Sequence, residues 1–328
     1  MEDKENNKVF AQKTTKYLDS LMEKSSSVKA MYQFNPDSEN PYANVNVDLL
    51  NEKKSSPVAG AVKKYEGQLL VLLSYTCAAN CRYCERQDRV GVGLDVDGWL
   101  RKEQINNIVN YIKSNPDIYE VIASGGDPLM NPKGLQHLFS ELRKIEHIKV
   151  VRIHTRLPLQ NPGKINWELM GEIVTTTNVV YLSLHIDHPD ELRPEIIDAI
   201  NRFRKMGYIL LTQTVFLKSV NDNKDVLKQL FLKLFELGVR PYYIYHGQEV
   251  YSTRSFVMSL DDEIKIMTEL RNELSGLAFP QHVIDIPKGI GKVIIPGNHW
   301  DFNSGMVRDF TGVNISTDTW EKCDGNSN

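Results

Sequence analysis

The sequence has no long apolar run and no excess of charge of one sign. Its longest clean apolar run covers residues 69–73, whereas a membrane-spanning helix needs about 20 residues. Residues 1–5 lack the basic start and apolar core of a secretory signal. Lys and Arg (39) nearly balance Asp and Glu (42), and the formal charge of −3 disfavours a nucleic-acid binder dominated by phosphate contacts. We therefore expect a soluble, cytoplasmic protein that binds neither membranes nor nucleic acids.

Cysteine is also scarce. The four cysteines are Cys77, Cys81, Cys84 and Cys323, and the clustering of three of them in a large intracellular chain argues against a disulfide framework. The apolar fraction of 41% and the charged fraction of 25% are close to globular averages, which excludes wholesale disorder and a fibrous protein. A length of 328 residues allows two ordinary domains or one large barrel.

From residue 69 onward, short β-branched apolar runs alternate with amphipathic segments, which is typical of βα units. This alternation predicts α/β architecture with a parallel sheet. Six strands are too few for a complete eight-unit barrel, so we predict a partial (β/α)6 TIM-like barrel with its chemistry at the carboxyl ends of the strands. The predicted strands are 69–74, 121–123, 149–154, 179–184, 208–217 and 240–245, and the predicted helices lie near 103–114, 135–145, 167–174, 194–206, 224–237 and 261–274.

Three regions are predicted along the chain. Residues 1–62 are polar, with helical spacing at Tyr17, Leu18, Leu21 and Met22, and are predicted to form a helical amino-terminal arm. Residues 63–250 form the predicted barrel core. Residues 251–328 form a carboxy-terminal extension.

The loop after the first predicted strand carries Cys77, Cys81 and Cys84 in the spacing C-x3-C-x2-C. Three thiolates hold three irons of a [4Fe–4S] cube and leave the fourth iron open to an external ligand. Zinc prefers four protein ligands in a closed site, and His154 or His185 could complete one. Zinc is the weaker alternative, because no second Cys pair follows at ribbon or finger spacing.

This spacing, with Tyr83 just before the last cysteine, resembles the radical S-adenosylmethionine (SAM) enzymes. The resemblance implies that SAM chelates the open iron and that Tyr83 lies near its adenine. The loop after the second strand reads Ser124, Gly125, Gly126 and Asp127, followed by Pro-Leu. This string is similar to a segment of the lysine 2,3-aminomutase group. In radical SAM enzymes a glycine pair at this position holds the methionyl amino group, although a lone glycine pair is also a common turn.

Polar residues at the ends of the next three strands extend the likeness. Thr155, His185 and Gln213 lie in strings that resemble aminomutase segments in order and spacing, over roughly residues 63–292. The resemblance implies that these three residues bind cofactor. His185 or Gln213 alone could instead be a hydrogen-bonded core residue.

Aminomutases of this group also use pyridoxal 5′-phosphate (PLP), which implies a lysine that forms a Schiff base. The segment 285–292 is similar to the glycine-rich segment that ends in the family's PLP lysine, which makes Lys292 the candidate; the alternative is a solvated turn lysine beside Lys288. Lys64 and Tyr65 fall where relatives contact the PLP phosphate and ring. Lys64 and Gln68 replace two arginines of the family.

The resemblance also implies a substrate site. Arg86 matches the arginine that grips the substrate carboxylate, and Asp285 matches one of two aspartates that hold the distal ammonium of lysine. Gln248 stands at the second aspartate position. The implied substrate is therefore lysine or a related basic or polar amino acid, and glutamate is disfavoured by repulsion from Asp285.

The longer members of the family carry a carboxy-terminal cysteine group for a zinc between subunits. This chain offers only Cys323, with Asn223 where a partner cysteine is expected, so we expect no such zinc. The length and the sequence of the cysteine loop resemble the short form of the family, which modifies the lysine used on elongation factor P. A homodimer is left open.

Together these features predict a radical SAM, PLP-dependent amino acid 2,3-aminomutase, an isomerase that moves an α-amino group to the β-carbon. Its expected partners are a small-molecule amino acid and a reducing electron donor. One alternative is a radical SAM enzyme that acts on another substrate without amino migration. Another is a zinc-binding partner protein in a translation-factor pathway.

Overall fold

The computed structural model describes residues 10–37, 39, 48–90, 98–175, 178–248, 253–289, 291–301, 303–308 and 313–316. The α-helices are α1 (Lys16–Met22), α2 (Ser26–Tyr32), α3 (Lys102–Lys113), α4 (Pro132–Leu142), α5 (Leu157–Gln160), α6 (Trp167–Val174), α7 (Pro194–Met206), α8 (Lys224–Glu236) and α9 (Leu260–Arg271). The strands are β1 (Ala61–Val62), β2 (Gln68–Ser74), β3 (Glu120–Gly125), β4 (Val150–Thr155), β5 (Val179–His185), β6 (Ile209–Val215), β7 (Arg240–Tyr245), β8 (Gln281–Ile286), β9 (Gly291–Ile294), β10 (Trp300–Asp301), β11 (Met306–Arg308) and β12 (Asn314–Ser316).

Strands β1 to β9 form one sheet whose spatial order is the order of the chain. Neighbours from β2 to β8 pair in parallel, and β1 and β9 close the two edges in antiparallel pairing. Parallel neighbours need a crossover, and the helices between successive strands supply it. The sheet curls into a half-barrel, which confirms the predicted α/β partial barrel.

The six predicted strands correspond to β2 through β7, and β8 extends the parallel sheet. The glycine-rich segment 285–292 contributes to a β8–β9 hairpin in which Asp285 lies opposite Lys292. The turn uses a left-handed backbone at Lys288 (φ 67°) and at Gly291 (φ 112°). Strands β10 to β12 form a separate antiparallel sheet. The division of the chain at residues 62 and 250 stays a prediction.

The main core lies between the sheet and the helices that cover it. Helix α3 shows the principle, because its buried residues Ile105, Ile108, Val109 and Ile112 follow helical spacing and form one stripe. A second, smaller cluster joins the amino-terminal arm to the barrel. Its buried members are Leu18, Leu21, Val28, Met31, Tyr32, Ala79, Leu217, Val220 and Phe256.

Helices α1 and α2 of the arm thus pack on the cysteine loop and on the loop after β6. Thr15 and Ser25 cap the two helices by accepting hydrogen bonds from Leu18 N and Val28 N. Among the described residues, no helix is both long enough and apolar enough to cross a membrane. Cys323 lies outside the described residues.

We predict that Phe203→Ala on α7 destabilises the protein by about 3–5 kcal/mol, because it leaves a cavity in the core. The Phe203 side chain is 0% exposed, and its ring centroid lies 4.9 Å from that of Trp167 and 5.7 Å from that of Tyr208. Denaturant unfolding followed by circular dichroism measures the change. Phe235→Ala on α8 is the control, since Phe235 is 41% exposed. Equal losses in the two variants would contradict this assignment of the core.

Candidate active site

A cavity of about 520 Å³ lies at the carboxyl ends of the parallel strands. Every residue that the sequence analysis assigned to a cofactor or a substrate lines it. These residues are Lys64, Tyr65, Cys77, Cys81, Tyr83, Cys84, Arg86, Ser124, Gly125, Gly126, Asp127, Thr155, His185, Gln213, Gln248, Asp285 and Lys292. The cavity therefore brings together residues from most of the chain, although their individual roles stay predictions.

The cysteine loop after β2 turns Cys77, Cys81 and Cys84 toward this cavity as free thiols. Burial raises the pKa of Cys84 to about 12, so a thiolate there requires a bound cation. In the part of the chain that the structure describes, no three His, Cys, Asp or Glu side chains are placed to hold a single metal ion. Three thiols of one loop facing one cavity fit a [4Fe–4S] cluster.

Arg82, which follows Cys81, ties the cysteine loop to the amino-terminal arm. Its Nε and Nη2 donate to Glu39 Oε2 at 2.8 and 2.5 Å, and its Nη1 donates to Phe10 O at 3.0 Å. The guanidinium carbon lies 5.3 Å from the ring centroids of Phe10 and Phe34. Both charged side chains of this ion pair are 2% exposed. The arm thus holds the loop through a buried charge pair.

Gln160 at the end of α5 holds the same loop from the barrel. Its side-chain oxygen accepts from Ala79 N at 3.2 Å, while its nitrogen donates to Ala79 O at 3.1 Å and contacts Cys81 Sγ at 3.6 Å. Sequence reasoning missed Gln160, because no motif marks it. Its only signal is its place shortly after the third predicted strand.

The glycine loop is shaped by its neighbour in the sheet. A Cβ on Gly125, where φ is +120°, would lie 2.2 Å from Ser74 O, and a Cβ on Gly126 would lie 2.6 Å from Thr76 O. Gly126 N donates to Ser74 O at 2.5 Å and Asp127 N to Thr76 O at 2.9 Å. Glycine is therefore required here for the close approach of two backbones. The predicted contact of this loop with SAM stays a prediction.

Asp127 locks the loops after β3 and β4 together. Its carboxylate accepts from Thr155 Oγ1 at 2.9 Å, from Arg156 N and Leu157 N at 2.8 Å, and from Leu129 N at 3.0 Å. Burial raises the pKa of Asp127 to about 6 against the lowering effect of these hydrogen bonds. Asp127 and Thr155 thus bind each other at the cavity wall.

Tyr83 is oriented by a buried ionic network. Its hydroxyl donates to Asp187 Oδ2 at 2.5 Å. Arg156 bridges Asp187 and Glu191 with its two Nη atoms and donates from Nε to Tyr32 at 2.7 Å. The Arg156 guanidinium carbon lies 5.7 Å from the Tyr83 ring centroid. The network fixes the tyrosine ring and binds helix α2 of the arm to the barrel.

Two imidazoles at the ends of β4 and β5 carry unpartnered polar atoms. The Nε2 atoms of His154 and His185 are buried without a hydrogen-bond partner among the described residues, and both rings line the cavity. Burial lowers the pKa of His185 to about 4 and that of His154 well below its usual range. A buried polar atom without a partner is costly. These neutral nitrogens therefore fit a polar ligand such as SAM.

Lys292 on β9 extends its amine to the cavity opposite Asp285. Its Nζ lies 3.0 Å from Asp285 Oδ2, and Lys64 Nζ lies 4.0 Å from Asp285 Oδ1, an oxygen that accepts no hydrogen bond from the described residues. Tyr65 Oη accepts from Lys292 N at 2.8 Å, and Gln248 Nε2 donates to Asp285 O at 2.8 Å. A lysine that holds PLP (Lys292), a lysine that binds the PLP phosphate (Lys64) and a carboxylate that binds the substrate (Asp285) would need to lie this close together.

Lys288 differs from Lys292 in its surroundings. It is exposed in the hairpin turn, and its backbone N donates to Leu49 O of the amino-terminal arm at 2.8 Å. Lys288 does not line the cavity. Of these two lysines, only Lys292 can meet a ligand in the cavity.

Arg86 is held by a residue that sequence reasoning missed. Its Nη2 donates to Glu52 Oε1 at 2.9 Å, and Arg89 Nη1 donates to Glu52 Oε2 at 2.9 Å. Although burial pushes the pKa of Glu52 upward, Arg86 and Arg89 hold it at about 2. Glu52 lies in the predicted arm, where no motif pointed to it. An ionised carboxylate therefore orients the guanidinium of Arg86 at the cavity wall.

His246, directly after β7, is a further cavity residue that no motif indicated. Its Nδ1 lies 3.1 Å from the carboxylate of Glu263, and His282 Nε2 lies 2.9 Å from Glu263 Oε2. Glu263 is 0% exposed. The buried carboxylate fixes the His246 ring with its Nδ1 turned toward α9.

Comparison with known proteins identifies relatives. Residues 71–230 match the family described as the Radical SAM superfamily. The chain is 39% identical over 249 residues to the L-lysine 2,3-aminomutase of Buchnera aphidicola, covering 76% of this chain and 72% of that protein. It is 33% identical to the L-lysine 2,3-aminomutase of Clostridium subterminale (81% of this chain, 64% of that protein). It is 32% identical to the glutamate 2,3-aminomutase of Clostridioides difficile (75% of this chain, 58% of that protein).

The half-barrel, the cysteine loop and the family match together define a radical SAM protein. The superfamily uses a [4Fe–4S] cluster and SAM, and the three thiols and the unpartnered imidazole nitrogens of this cavity fit those groups. Within the superfamily, this chain belongs to the lysine 2,3-aminomutase family, as the extent of the match to the Buchnera protein shows. The family resemblance drawn from the sequence is thus confirmed. The chain spans less than two thirds of the two longer relatives, and its assignment to the short form stays a prediction.

We predict that Arg82→Met lowers the free energy of unfolding by about 3–5 kcal/mol, because it leaves Glu39 buried and charged without its partner. Urea unfolding of the cluster-free protein measures the loss. Arg143→Met is the matched control, since Arg143 is exposed at the end of α4. The double variant Arg82→Met/Glu39→Met should recover part of the loss. A single variant as stable as the control would show that the charge pair does not hold the loop.

We predict that acid destabilises the ligand-free protein in part through His185. Its pKa is about 4 in the folded chain against about 6.5 when unfolded. The unfolded chain therefore binds more protons between these values, and the free energy of unfolding falls by as much as about 3 kcal/mol as the pH drops from 6.5 to 4. Urea unfolding at a series of pH values tests this. His185→Asn should flatten the dependence, and an unchanged slope would refute the assignment.

Proposed function

We propose that this protein is an amino acid 2,3-aminomutase, an isomerase that moves the α-amino group of lysine or a related basic or polar amino acid to the β-carbon. The similarity to lysine and glutamate 2,3-aminomutases supports this activity. The observation that carries the proposal is that three free thiols and the amine of Lys292 line the same cavity. A reaction that needs both a cluster and PLP requires such a shared space.

The cofactors would supply the difficult chemistry: the cluster and SAM remove hydrogen from an unactivated carbon, and PLP holds the migrating nitrogen. The chain's own residues would bind and orient these cofactors and the substrate. Cys77, Cys81 and Cys84 would hold the cluster. The Nε2 atoms of His154 and His185 offer unpartnered acceptors or donors for SAM.

Lys292 is the proposed attachment point of PLP. Its Nζ lies 6.0 Å from the ring centroid of Tyr65 and 5.8 Å from that of Tyr245. Gly291, with φ at +112°, allows β9 to approach Tyr65, since a Cβ there would lie 3.2 Å from the tyrosine hydroxyl. Two aromatic rings beside the amine provide flat surfaces for a pyridine ring. Lys64 provides a positive charge for the phosphate, without the paired contacts of an arginine.

The substrate would be held at its two ends. Arg86, oriented by Glu52, presents a guanidinium that can pair with the amino acid carboxylate. Asp285 Oδ1 is buried without a hydrogen bond from the described residues, so it can accept from the distal group of a basic or polar side chain. Gln248 is neutral, which leaves the local charge less negative than two aspartates would. Asp285 repels a glutamate side chain.

Two features favour the second candidate, a radical SAM reaction on another substrate without amino migration. Lys64 and Gln68 replace the two arginines expected for the PLP phosphate, and neither forms a bidentate fork. Glu52 also occupies Arg86 with a close ion pair, which competes with a substrate carboxylate. A reducing electron donor is proposed for both candidates. A cytoplasmic location and a homodimer stay predictions.

The test is an anaerobic assay of reconstituted protein with SAM, PLP and dithionite and a panel of amino acids: lysine, ornithine, arginine, glutamine and glutamate. We expect a β-amino acid from one of the basic or polar members, detected by mass spectrometry. If 5′-deoxyadenosine forms and no β-amino product appears, the aminomutase proposal fails and the second candidate gains. If glutamate alone is converted, the assigned role of Asp285 is wrong.

Two lysine variants are compared in this assay, and Lys288→Ala is the matched control for Lys292→Ala. Lys292→Ala should abolish the β-amino product and the borohydride trapping of PLP on the protein, because the attachment amine is lost. Lys288→Ala should retain both, since Lys288 is exposed outside the cavity. Trapping that persists in Lys292→Ala would place PLP on another lysine.

A further inference from the structure

A surface depression of about 500 Å³ lies beside the cysteine loop, separate from the main cavity. Lys13, Lys16 and Lys164 line it, and all three are exposed. Its described lining contains no aspartate or glutamate. The whole chain carries a formal charge of −3, so this concentration of positive charge contrasts with the average surface.

The depression borders the loop that carries the thiols. Ala78 lines it, while its neighbour Cys77 lines the main cavity. Lys13 Nζ donates to Cys77 O at 2.6 Å. Thr15 Oγ1 donates to Gln160 O at 2.5 Å, and the Gln160 side chain bonds to the cysteine loop. The cysteine loop thus has one side toward the cavity and one side toward this basic surface.

An electron for the cluster must enter from outside the cavity. The proposed function fills the inner side of the loop with SAM, PLP and substrate, which leaves its outer side for a reductant. A positively charged surface attracts a negatively charged carrier and raises the rate of productive encounters. The positive charge of the depression and its position beside the cysteine loop therefore both favour a negatively charged electron carrier as the partner.

We propose that the depression lined by Lys13, Lys16 and Lys164 is the docking site of an acidic one-electron carrier protein that reduces the cluster. The inference rests on the proposed function, because only a cluster protein needs this electron. One electron passes from the reduced carrier to the cluster, so the carrier is oxidised by one electron and the cluster is reduced from the 2+ to the 1+ state. No atom is transferred.

The test uses the reconstituted full-length enzyme and pre-reduced flavodoxin, an acidic flavoprotein, under anaerobic conditions. The variant Lys16→Glu/Lys164→Glu reverses two charges and leaves Lys13 bonded to the cysteine loop. Calorimetry measures the affinity for flavodoxin, and stopped-flow absorbance measures the rate of cluster reduction. Both should fall on the order of 10- to 100-fold at low salt, and the difference should shrink at high salt.

Lys113→Glu/Lys205→Glu is the matched control. These two exposed lysines lie in the last turns of α3 and α7, toward the amino-terminal edge of the sheet and away from the cysteine loop. This variant should bind flavodoxin and accept electrons like the unaltered enzyme. An equal loss in the control would mean that only net charge matters, and it would overturn the assignment of the docking site.

Dithionite separates the failure of this inference from the failure of the proposed function. It is a small reductant that needs no docking surface, so SAM cleavage driven by dithionite should be equal in the unaltered enzyme and in Lys16→Glu/Lys164→Glu. If dithionite reduces the unaltered enzyme without SAM cleavage, the proposed function fails. If dithionite works, and flavodoxin fails to bind the unaltered enzyme or reduces both proteins at the same rate, the docking inference is overturned.

Discussion

The parallel register of β2 through β8 is the constraint on which the rest of the structure depends. Because these strands run in one direction, the loops that follow them emerge at one edge of the sheet. Cys77, Ser124, Thr155, His185 and Gln213 lie far apart in the sequence and nevertheless line one cavity. The chemistry of the site therefore follows from strand direction and from which residue ends each strand.

Most of the fold and much of the site follow from local sequence patterns. The strands β2 to β7 have short β-branched runs separated by amphipathic helices, and the motif residues stand at fixed offsets from their ends. Strand β8 was not predicted, although it contains the β-branched residues Val283, Ile284 and Ile286. Its hairpin with β9 depends on a left-handed turn at Lys288. The glycines at 125 and 126 line the cavity, and their close backbone contacts became visible only with β2 beside them.

The charged and polar residues that hold the site could not be predicted, because their partners are distant in the sequence. Glu52 lies 34 residues from Arg86, Glu39 lies 43 from Arg82, and Gln160 lies 81 from Ala79. No periodicity or motif links such pairs. Their contacts depend on how the arm crosses the barrel, and that arrangement arises only when the tertiary structure forms.

The attachment of the arm has a consequence for biosynthesis. Tyr32 of α2 bonds to Arg156, whose charge is in turn balanced by Glu191. The arm is translated first, but it lacks these binding partners until the ribosome has released residue 191 and β5 has formed. The contacts of Tyr32 with the barrel therefore form late in synthesis, whereas Arg82 of the cysteine loop can pair with Glu39 of the arm as soon as both residues have been made.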